Sequence, residues 1–201
     1  MTTLYGTSQS RAPRSLWALE ELGVKYNHVP TGVPETRTPE HLKRNPNGHI
    51  PVLEDGGHHF WESMAINLYL AEKYGKAPFW PASVVDRGHA YQWSFWAMTE
   101  LEPHFVTILG HKMFLPAEQR SAKALSDAAS ALGAPMAVLD AHLKRHAYLL
   151  GNDFTIADLN AASVLSMAAF AQHDLSSAST AKAWLDTCLA RPSFQKASAM
   201  K

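Results

Sequence analysis

The fold of this chain is decided by NPNGHIPVLEDGG (residues 45–57) and WESMAINLYLAEKYG (residues 61–75). Residues 51–54 and 59–61 have strand patterns, and the turn between them contains two glycines that permit a positive φ. An apolar helix is expected over residues 63–74, with a glycine just past its end. The two stretches therefore predict a β-hairpin that leads directly into a helix.

Upstream of the hairpin, the sequence predicts a strand, a helix and a second strand. Strand patterns cover residues 2–5 and 26–29, and a helical pattern covers residues 13–22. Two strands joined by a helix over this length form a parallel βαβ unit. Together with the hairpin and its helix, this unit predicts an α/β domain of the order βαβ-ββα over residues 1–78.

Beyond this domain the sequence changes character and has no strand pattern. Residues 79–85 contain proline and are irregular, which is typical of a linker. The helical patterns that follow cover residues 86–110, 117–146 and 181–190. The second is expected to break near Pro135, and the third to stop before Pro192. Residues 86–201 are therefore predicted to form an all-α C-terminal domain.

One helix start in this second half is marked by GNDFTIADL (residues 151–159). Thr155 and Asp158 have the spacing of a capping box, in which each side chain accepts a hydrogen bond from the backbone near the other residue. Phe154 and Leu159 have the spacing of a hydrophobic staple. A helix is therefore predicted to begin at Thr155.

The composition excludes several classes of protein. The 201 residues include 18 basic and 18 acidic side chains, so the formal net charge is zero, and eleven are histidines, which is many for this length. Binding through phosphate neutralisation needs excess Lys and Arg, so no nucleic-acid partner is expected. The one cysteine, Cys188, cannot form an internal disulfide, and no apolar run approaches the roughly 20 residues that span a bilayer. A cytoplasmic location without a membrane partner is therefore expected.

The sequence resembles a cytosolic glutathione S-transferase over essentially its whole length. The resemblance is carried by LYGTSQSRAPRSLWALEELG (residues 4–23), by the two stretches quoted first and by GNDFTIADL. It implies a thioredoxin-like α/β domain followed by a helical bundle, a homodimer, and glutathione as co-substrate. An Arg four residues after a Ser, at Ser10 and Arg14, resembles the serine-dependent theta and delta type and related bacterial proteins.

The resemblance makes Ser10 the first candidate for the catalytic hydroxyl, with Tyr5 and Ser8 as alternatives. A free thiol has a pKa near 8.5, and lowering it by about two units requires about 2.7 kcal/mol of preferential stabilisation of the anion. One hydrogen bond to a charged atom supplies about 1.5–3 kcal/mol. Ser10 alternatively caps the following helix. Arg11 adds positive potential near the sulfur or is a solvated surface side chain.

The resemblance also implies five glutathione-binding residues. Pro51 matches the family's cis-proline, which turns the backbone of Ile50 toward the cysteinyl part of glutathione. Glu62 and Ser63 match the pair that binds the γ-glutamyl group, although an acidic residue and a serine at a helix start also fit simple capping. His49 stands where many members carry a polar residue near the glycyl end, and a surface loop histidine is the alternative.

The electrophile is expected to bind between the domains. Trp96 and His104 are the candidate contacts, although most aromatic residues in this part of the chain are expected in the helical core. No metal is expected, because the adjacent His58 and His59 face opposite ways on a strand. Cys188 has the helical spacing of a buried apolar residue rather than of a nucleophile.

Together these features predict an enzyme that activates the glutathione thiol as thiolate for attack on a hydrophobic electrophile, with a role in detoxification. The alternatives are a non-catalytic binding or assembly module of the same fold, and a glutathione-dependent isomerase, peroxidase or dehalogenase. A maleylacetoacetate isomerase is disfavoured, because its signature has a Cys where this chain has Arg11.

Overall fold

A computed structural model describes residues 1–200 and divides the chain into two compact units. The first unit contains Met1–Ala82 together with the chain from Ala190 onward. The second unit contains Ser83–Leu189.

The first unit is built on a four-stranded mixed sheet. Its elements are β1 (Thr2–Tyr5), α1 (Ala12–Glu21), β2 (Tyr26–Val29), a 3-10 turn (Pro34–Arg37), α2 (Pro39–Arg44), β3 (Val52–Asp55), β4 (His58–Trp61) and α3 (Ser63–Tyr74). The strand order is β2-β1-β3-β4, in which β1 and β2 are parallel and the other pairs are antiparallel. The predicted βαβ-ββα order is confirmed.

The strand register brings three connecting segments to one edge of this sheet. Tyr5 at the end of β1 lies opposite Val29 of β2 and Val52 of β3, and Val52 lies opposite Trp61 at the end of β4. The segments that follow β1, precede β3 and follow β4 therefore meet at the same edge.

The core of the first unit lies where α1 and α3 pack on the sheet and on each other. Its larger fully buried apolar side chains are Leu4, Leu16, Trp17, Leu19, Val52, Leu53, Ile66 and Leu70. The hairpin turn has Gly56 and Gly57 at φ values of 59° and 81°, as its two glycines predicted.

The second unit is helical, as predicted. Its helices are α4 (Val84–Trp96), α5 (Glu102–Leu109), α6 (Ala122–Ala131), α7 (Gly133–Leu143), α8 (Ile156–Leu165), α9 (Met167–Ala171) and α10 (Ser179–Leu189). The single helix expected over residues 86–110 is interrupted by a π turn at Ala97–Leu101, and a second π turn follows α5 at Gly110–Phe114. An inserted residue of this kind leaves little mark on the apolar periodicity.

The capping box predicted for α8 is present. The Thr155 hydroxyl accepts a hydrogen bond from the Ala157 amide at 3.2 Å, and Asp158 accepts one from the Thr155 amide at 3.0 Å. Asp158 is fully buried and also accepts from the Leu149 amide at 2.8 Å and from the Trp184 indole at 3.0 Å. This carboxylate therefore joins the start of α8 to α10 and to the preceding loop.

The chain after α10 differs from the predicted domain division. A helix α11 (Pro192–Ser198) packs on α1, whereas residues 86–201 were all expected in the helical domain. The Trp17 indole donates to the Ser193 hydroxyl at 3.1 Å, and the Trp17 ring meets Phe194 edge-on at 4.9 Å. The prediction treated Pro192 only as the end of a helix, but proline is equally suited to the first turn of a new one.

No helix within residues 1–200 is long and apolar enough to cross a bilayer.

Candidate functional site

The loop between β1 and α1 meets the segment before β3 around Gly6. A Cβ atom built on Gly6 would lie 2.6 Å from the Ala12 Cβ, 3.6 Å from the Ser10 Oγ and 3.7 Å from the Ile50 Cβ. Gly6 has a φ of +150°, which disfavours any other residue. Ser10 and Ile50, predicted separately, therefore face one point at the sheet edge.

The Ser10 hydroxyl makes two hydrogen bonds within its own loop. It donates to the Thr7 carbonyl at 2.8 Å and accepts from the Ala12 amide at 3.0 Å. Because α1 begins at Ala12 and Arg11 contributes no side-chain cap, Ser10 satisfies one amide of the first turn. A hydroxyl has one hydrogen, so donation to a thiolate would replace the bond to Thr7.

The two alternative hydroxyls have different surroundings. Tyr5 donates to the Glu54 Oε2 at 2.9 Å, and the Arg44 guanidinium lies 4.3 Å from the centre of its ring. Burial and the hydrogen bond to Glu54 raise the pKa of Tyr5, which makes its proton harder to give up. Ser8 is exposed, as is Arg11 at the start of α1.

The segment before β3 presents the backbone of Ile50. The Ile50–Pro51 bond is cis, as the resemblance implied. The preceding His49 has an exposed side chain, but its carbonyl accepts hydrogen bonds from the Asn45 Nδ2 at 2.9 Å and from the His41 Nε2 at 3.0 Å. Two side chains from the α2 region therefore fix the peptide that leads into Ile50.

The segment after β4 supplies the third part of the site. Glu62 precedes α3 with a φ of 69°, and no side chain caps this helix. A non-glycine residue at positive φ carries backbone strain, which is often found at functional sites. Ser63 is buried at the first helical position, and the amides of the first turn have no intrahelical partner. Simple side-chain capping, the alternative for this pair, is not what the structure shows.

The three segments offer complementary chemistry at one edge of the sheet. The loop after β1 presents a hydroxyl beside a helix N-terminus, which favours an anion such as a thiolate. The segment before β3 presents a backbone edge. The segment after β4 presents a carboxylate and a second helix N-terminus, suited to an ammonium group and a carboxylate respectively. The arrangement suits a zwitterionic thiol peptide.

The sequence matches models of two domains, described as the N-terminal domain of glutathione S-transferase over residues 1–72 and the C-terminal domain over residues 97–192. This chain belongs to the glutathione S-transferase family. The glutathione S-transferase GstB of Escherichia coli strain K12 is 32% identical to it over 164 residues, which cover 79% of each protein.

The chain is also similar to a solved transferase structure and to part of a longer protein. A structure of glutathione S-transferase-I bound with the ligand lactoylglutathione has a TM-score of 0.89 and 29% identity, covering 100% of this chain and 99% of the other. Elongation factor 1-gamma of Prunus avium is 31% identical over 161 residues, 77% of this chain but 36% of the elongation factor. The sequence similarity therefore extends to part of a longer protein that is not named a transferase.

The residues predicted to contact an electrophile lie in the second unit of the transferase fold. Trp96 ends α4, is half-buried and meets the Trp93 ring edge-on at 5.1 Å. His104 is half-buried on α5, beyond the π turn that follows Trp96. Their role as electrophile contacts stays a prediction.

The described residues contain neither a metal-binding cluster nor an exposed cysteine. Residues 1–200 contain no group of three His, Cys, Asp or Glu side chains arranged to hold a metal ion. Cys188 is fully buried on α10, which confirms its interpretation as a core residue.

Four residues that organise the site had not been selected from the sequence: Gly6, His28, His41 and Asn45. The Asn-Pro-Asn-Gly run at residues 45–48 has the composition of a turn, and this is the signal that could have indicated Asn45. The two histidines gave no local signal, because their partners are backbone carbonyls distant in sequence.

Proposed function

We propose that the protein is a glutathione transferase in which the Ser10 hydroxyl stabilises the thiolate of bound glutathione for attack on a hydrophobic electrophile. The observation that carries the proposal is the approach of the Ser10 Oγ and the Ile50 Cβ to one point beside Gly6. A cysteinyl residue held by the Ile50 backbone would have its sulfur directed toward that hydroxyl. This chemistry is that of the serine-dependent classes.

The energetics of thiol activation are adequate for one hydroxyl and one helix end. A hydrogen bond to a charged sulfur contributes about 1.5–3 kcal/mol, and the N-terminus of α1 contributes about 0.3–1 kcal/mol more. The roughly 2.7 kcal/mol that lowers a pKa by two units is within this range. Arg11, exposed at the start of α1, adds positive potential near the sulfur.

The rest of glutathione would occupy the other two segments. The γ-glutamyl carboxylate would accept hydrogen bonds from Ser63 and the first turn of α3, while the Glu62 carboxylate faces its ammonium group. The cysteinyl backbone would pair with Ile50 beside Pro51, and the glycyl carboxylate would lie near His49.

The reaction is a substitution or addition at an electrophilic carbon. The thiol proton leaves to solvent as the thiolate forms, and the sulfur then bonds to carbon. In a substitution a leaving group such as chloride departs with the electrons of the broken bond, and in an addition the π electrons move to the neighbouring carbon, which takes up a proton from solvent. Trp96 and His104 are the proposed electrophile contacts. No metal takes part in this scheme. A cytoplasmic location goes with the same proposal.

The decisive experiment compares Ser10→Ala and Ser10→Thr with the wild type. Turnover of a chloronitrobenzene and the thiolate absorbance of bound glutathione should both fall at least tenfold in Ser10→Ala, and Ser10→Thr should restore much of the loss. Ser8→Ala and Tyr5→Phe are the matched controls and should remain close to the wild type. If Ser10→Ala changes neither quantity, Ser10 is not the activating residue.

A second candidate is a non-catalytic binding or assembly module, which the similarity to elongation factor 1-gamma favours. Such a module would show no turnover with any electrophile. Retention on immobilised glutathione and elution by free glutathione favour the transferase. Isomerase, peroxidase and dehalogenase activities would use the same thiolate, and a panel of those substrates separates them from conjugation.

A homodimer is also proposed, as the resemblance implies. Val84, Tyr91 and Phe95 of α4 are 79%, 37% and 59% exposed and recur at helical spacing, so this helix has an apolar outer face. A second copy would cover that face. Light scattering should give the mass of a dimer for the wild type and of a monomer for Phe95→Asp.

A further inference from the structure

Two of the eleven histidines donate hydrogen bonds to backbone carbonyls in the loops that form the proposed site. The His28 Nε2 lies 2.8 Å from the Gly6 carbonyl oxygen, and the His41 Nε2 lies 3.0 Å from the His49 carbonyl oxygen. A carbonyl oxygen has no hydrogen, so in both pairs the Nε2 atom carries the proton and donates it.

His28 acts on the loop that carries the catalytic hydroxyl. Gly6 makes two hydrogen bonds to β2: its amide donates to the Val29 carbonyl at 3.1 Å, and its carbonyl accepts from His28. The next residue, Thr7, supplies the carbonyl that accepts both the amide and the hydroxyl of Ser10, at 3.1 Å and 2.8 Å. The Gly6 carbonyl that His28 contacts therefore lies one peptide before the Thr7 carbonyl, and the bond from the Ser10 amide to Thr7 still holds the Ser10 backbone when its hydroxyl turns toward a thiolate.

His41 acts on the segment that presents the Ile50 backbone. His41 is 2% exposed, and its Nδ1 atom is buried without a hydrogen-bond partner. The bond from Nε2 to the His49 carbonyl is therefore the polar interaction that its ring provides. Asn45 donates to the same oxygen at 2.9 Å, so two donors fix the peptide next to Ile50.

We propose that His28 and His41 are positioning residues for glutathione chemistry, one orienting the Ser10 loop and the other orienting the Ile50 backbone. The inference rests on the proposed glutathione site. The two loops meet at Gly6, where the Ser10 Oγ and the Ile50 Cβ lie 3.6 Å and 3.7 Å from the position of a Cβ atom. Each histidine therefore holds the backbone of one of the two loops that meet at Gly6.

The two positions predict different kinetic effects. Loss of the His28 donor should displace Ser10, so His28→Leu should lower kcat and the thiolate fraction of bound glutathione by roughly three- to tenfold. Loss of the His41 donor should loosen the Ile50 backbone, so His41→Leu should raise the KM for glutathione by a similar factor. This range corresponds to the net free energy of one hydrogen bond. The KM for the electrophile should change in neither variant.

Glutamine variants separate positioning from packing. The side-chain amide of Gln carries its hydrogen near the place of the imidazole Nε2, so His28→Gln and His41→Gln retain a donor. They should recover to within about twofold of the wild type. His58→Leu, on the exposed end of the hairpin, is the matched control and should match the wild type in every measurement.

Hydrogen–deuterium exchange of the unliganded protein tests the positioning without reference to glutathione. Amides of residues 7–12 should exchange faster in His28→Leu, those of residues 47–50 should exchange faster in His41→Leu, and the Gln variants should restore both. Unchanged exchange in the Leu variants, or no restoration by Gln, would overturn the inference. If the wild type itself binds no glutathione, the proposed function fails while the exchange rates still decide the positioning role.

Discussion

Gly6 and Ala12 face each other across the loop between β1 and α1, so closely that a Cβ on Gly6 would lie 2.6 Å from the Ala12 Cβ. Real Cβ atoms essentially never approach this distance, so a side chain at residue 6 would force the backbone to move. The atoms that would move with it include the Ser10 hydroxyl, 3.6 Å from the same point. The absence of a side chain at residue 6 therefore contributes directly to the geometry of the loop that carries Ser10.

Gly6→Ala should reduce both activity and stability. The substitution combines a φ of +150° with the contact to Ala12, and relief of that contact displaces the Ser10 loop. We expect kcat/KM for glutathione to fall at least tenfold, with a loss of about 1–3 kcal/mol in the free energy of unfolding. Steady-state kinetics and urea denaturation measure the two quantities.

Gly57→Ala is the matched control for this prediction. Gly57 also has a positive φ, 81°, but a Cβ there would meet no atom within 4 Å. The backbone strain should cost about 1 kcal/mol and leave the kinetics unchanged. Equal losses of activity in the two variants would show that strain, and not the contact with Ala12, is responsible.

Most of the fold was accessible from the sequence because its signals are local. The strands Thr2–Tyr5 and Tyr26–Val29 and the helix Ser63–Tyr74 have the predicted bounds. The errors lie where a local signal has two meanings. Pro192 ends one helix and begins another, and the π turn at Ala97–Leu101 interrupts a helix whose apolar pattern continues.

The candidate site was accessible only in part. Ser10, Ile50 and Glu62 were selected through the family resemblance, and the strand register brings their segments to one edge. His28 and His41 were not selected, because each contacts a backbone carbonyl 22 or 8 residues away and any residue type has such a carbonyl. Interactions with the backbone leave no pattern in a single sequence.

The buried carboxylate of Asp55 should stabilise the first unit in a pH-dependent way. Burial alone would raise its pKa, but hydrogen bonds from Lys73 at 2.7 Å, Tyr74 at 2.9 Å, Tyr69 at 3.0 Å and Thr2 at 3.1 Å hold the pKa below its ordinary value. A group whose pKa is lowered on folding contributes stability above its unfolded pKa of about 3.9, and the contribution is lost as the pH falls through the folded value.

Asp55→Asn should therefore destabilise the protein at pH 7 by about 2–3 kcal/mol, because it removes charge-assisted hydrogen bonds from a buried site. The deficit should shrink as the pH falls below 4. Urea denaturation at pH 7 and in the acid range measures both effects. The exposed Glu72→Gln on α3 is the control and should change stability by less than about 0.5 kcal/mol. A deficit that is equal at both pH values would contradict the charge argument.

The carboxylate of Asp158 should be the most sensitive polar group of the second unit. Asp158→Ala would leave the Leu149 amide, the Thr155 amide and the Trp184 indole without this acceptor in a buried region. At about 1–3 kcal/mol for each unsatisfied donor, the loss should be at least about 3 kcal/mol. Urea denaturation should show a smaller loss for Trp184→Phe, which removes one donor and keeps the carboxylate. The nearby exposed Asp153→Asn should be neutral, and an equally small effect of Asp158→Ala would remove the carboxylate from this role.

The fall in stability below neutral pH should depend on His142. Burial lowers the pKa of this imidazole by more than its hydrogen bond to the Leu149 carbonyl raises it, and the charges of Arg145 and of His146, whose ring stacks on it at 4.5 Å, lower the pKa further. The unfolded chain then takes up a proton near pH 6.5, before the folded chain does, so stability should decrease from pH 6.5 downward and level off once the folded form is also protonated.

His142→Gln removes this titration and retains a donor for the Leu149 carbonyl, which accepts from the His142 Nε2 at 3.0 Å. Thermal denaturation between pH 7.5 and 5.5 should therefore show a shallower decrease in this variant than in the wild type. Exposed His58→Gln should retain the wild-type slope, and the same slope in His142→Gln would assign the pH dependence to other groups, beginning with His173, whose pKa is also lowered by burial.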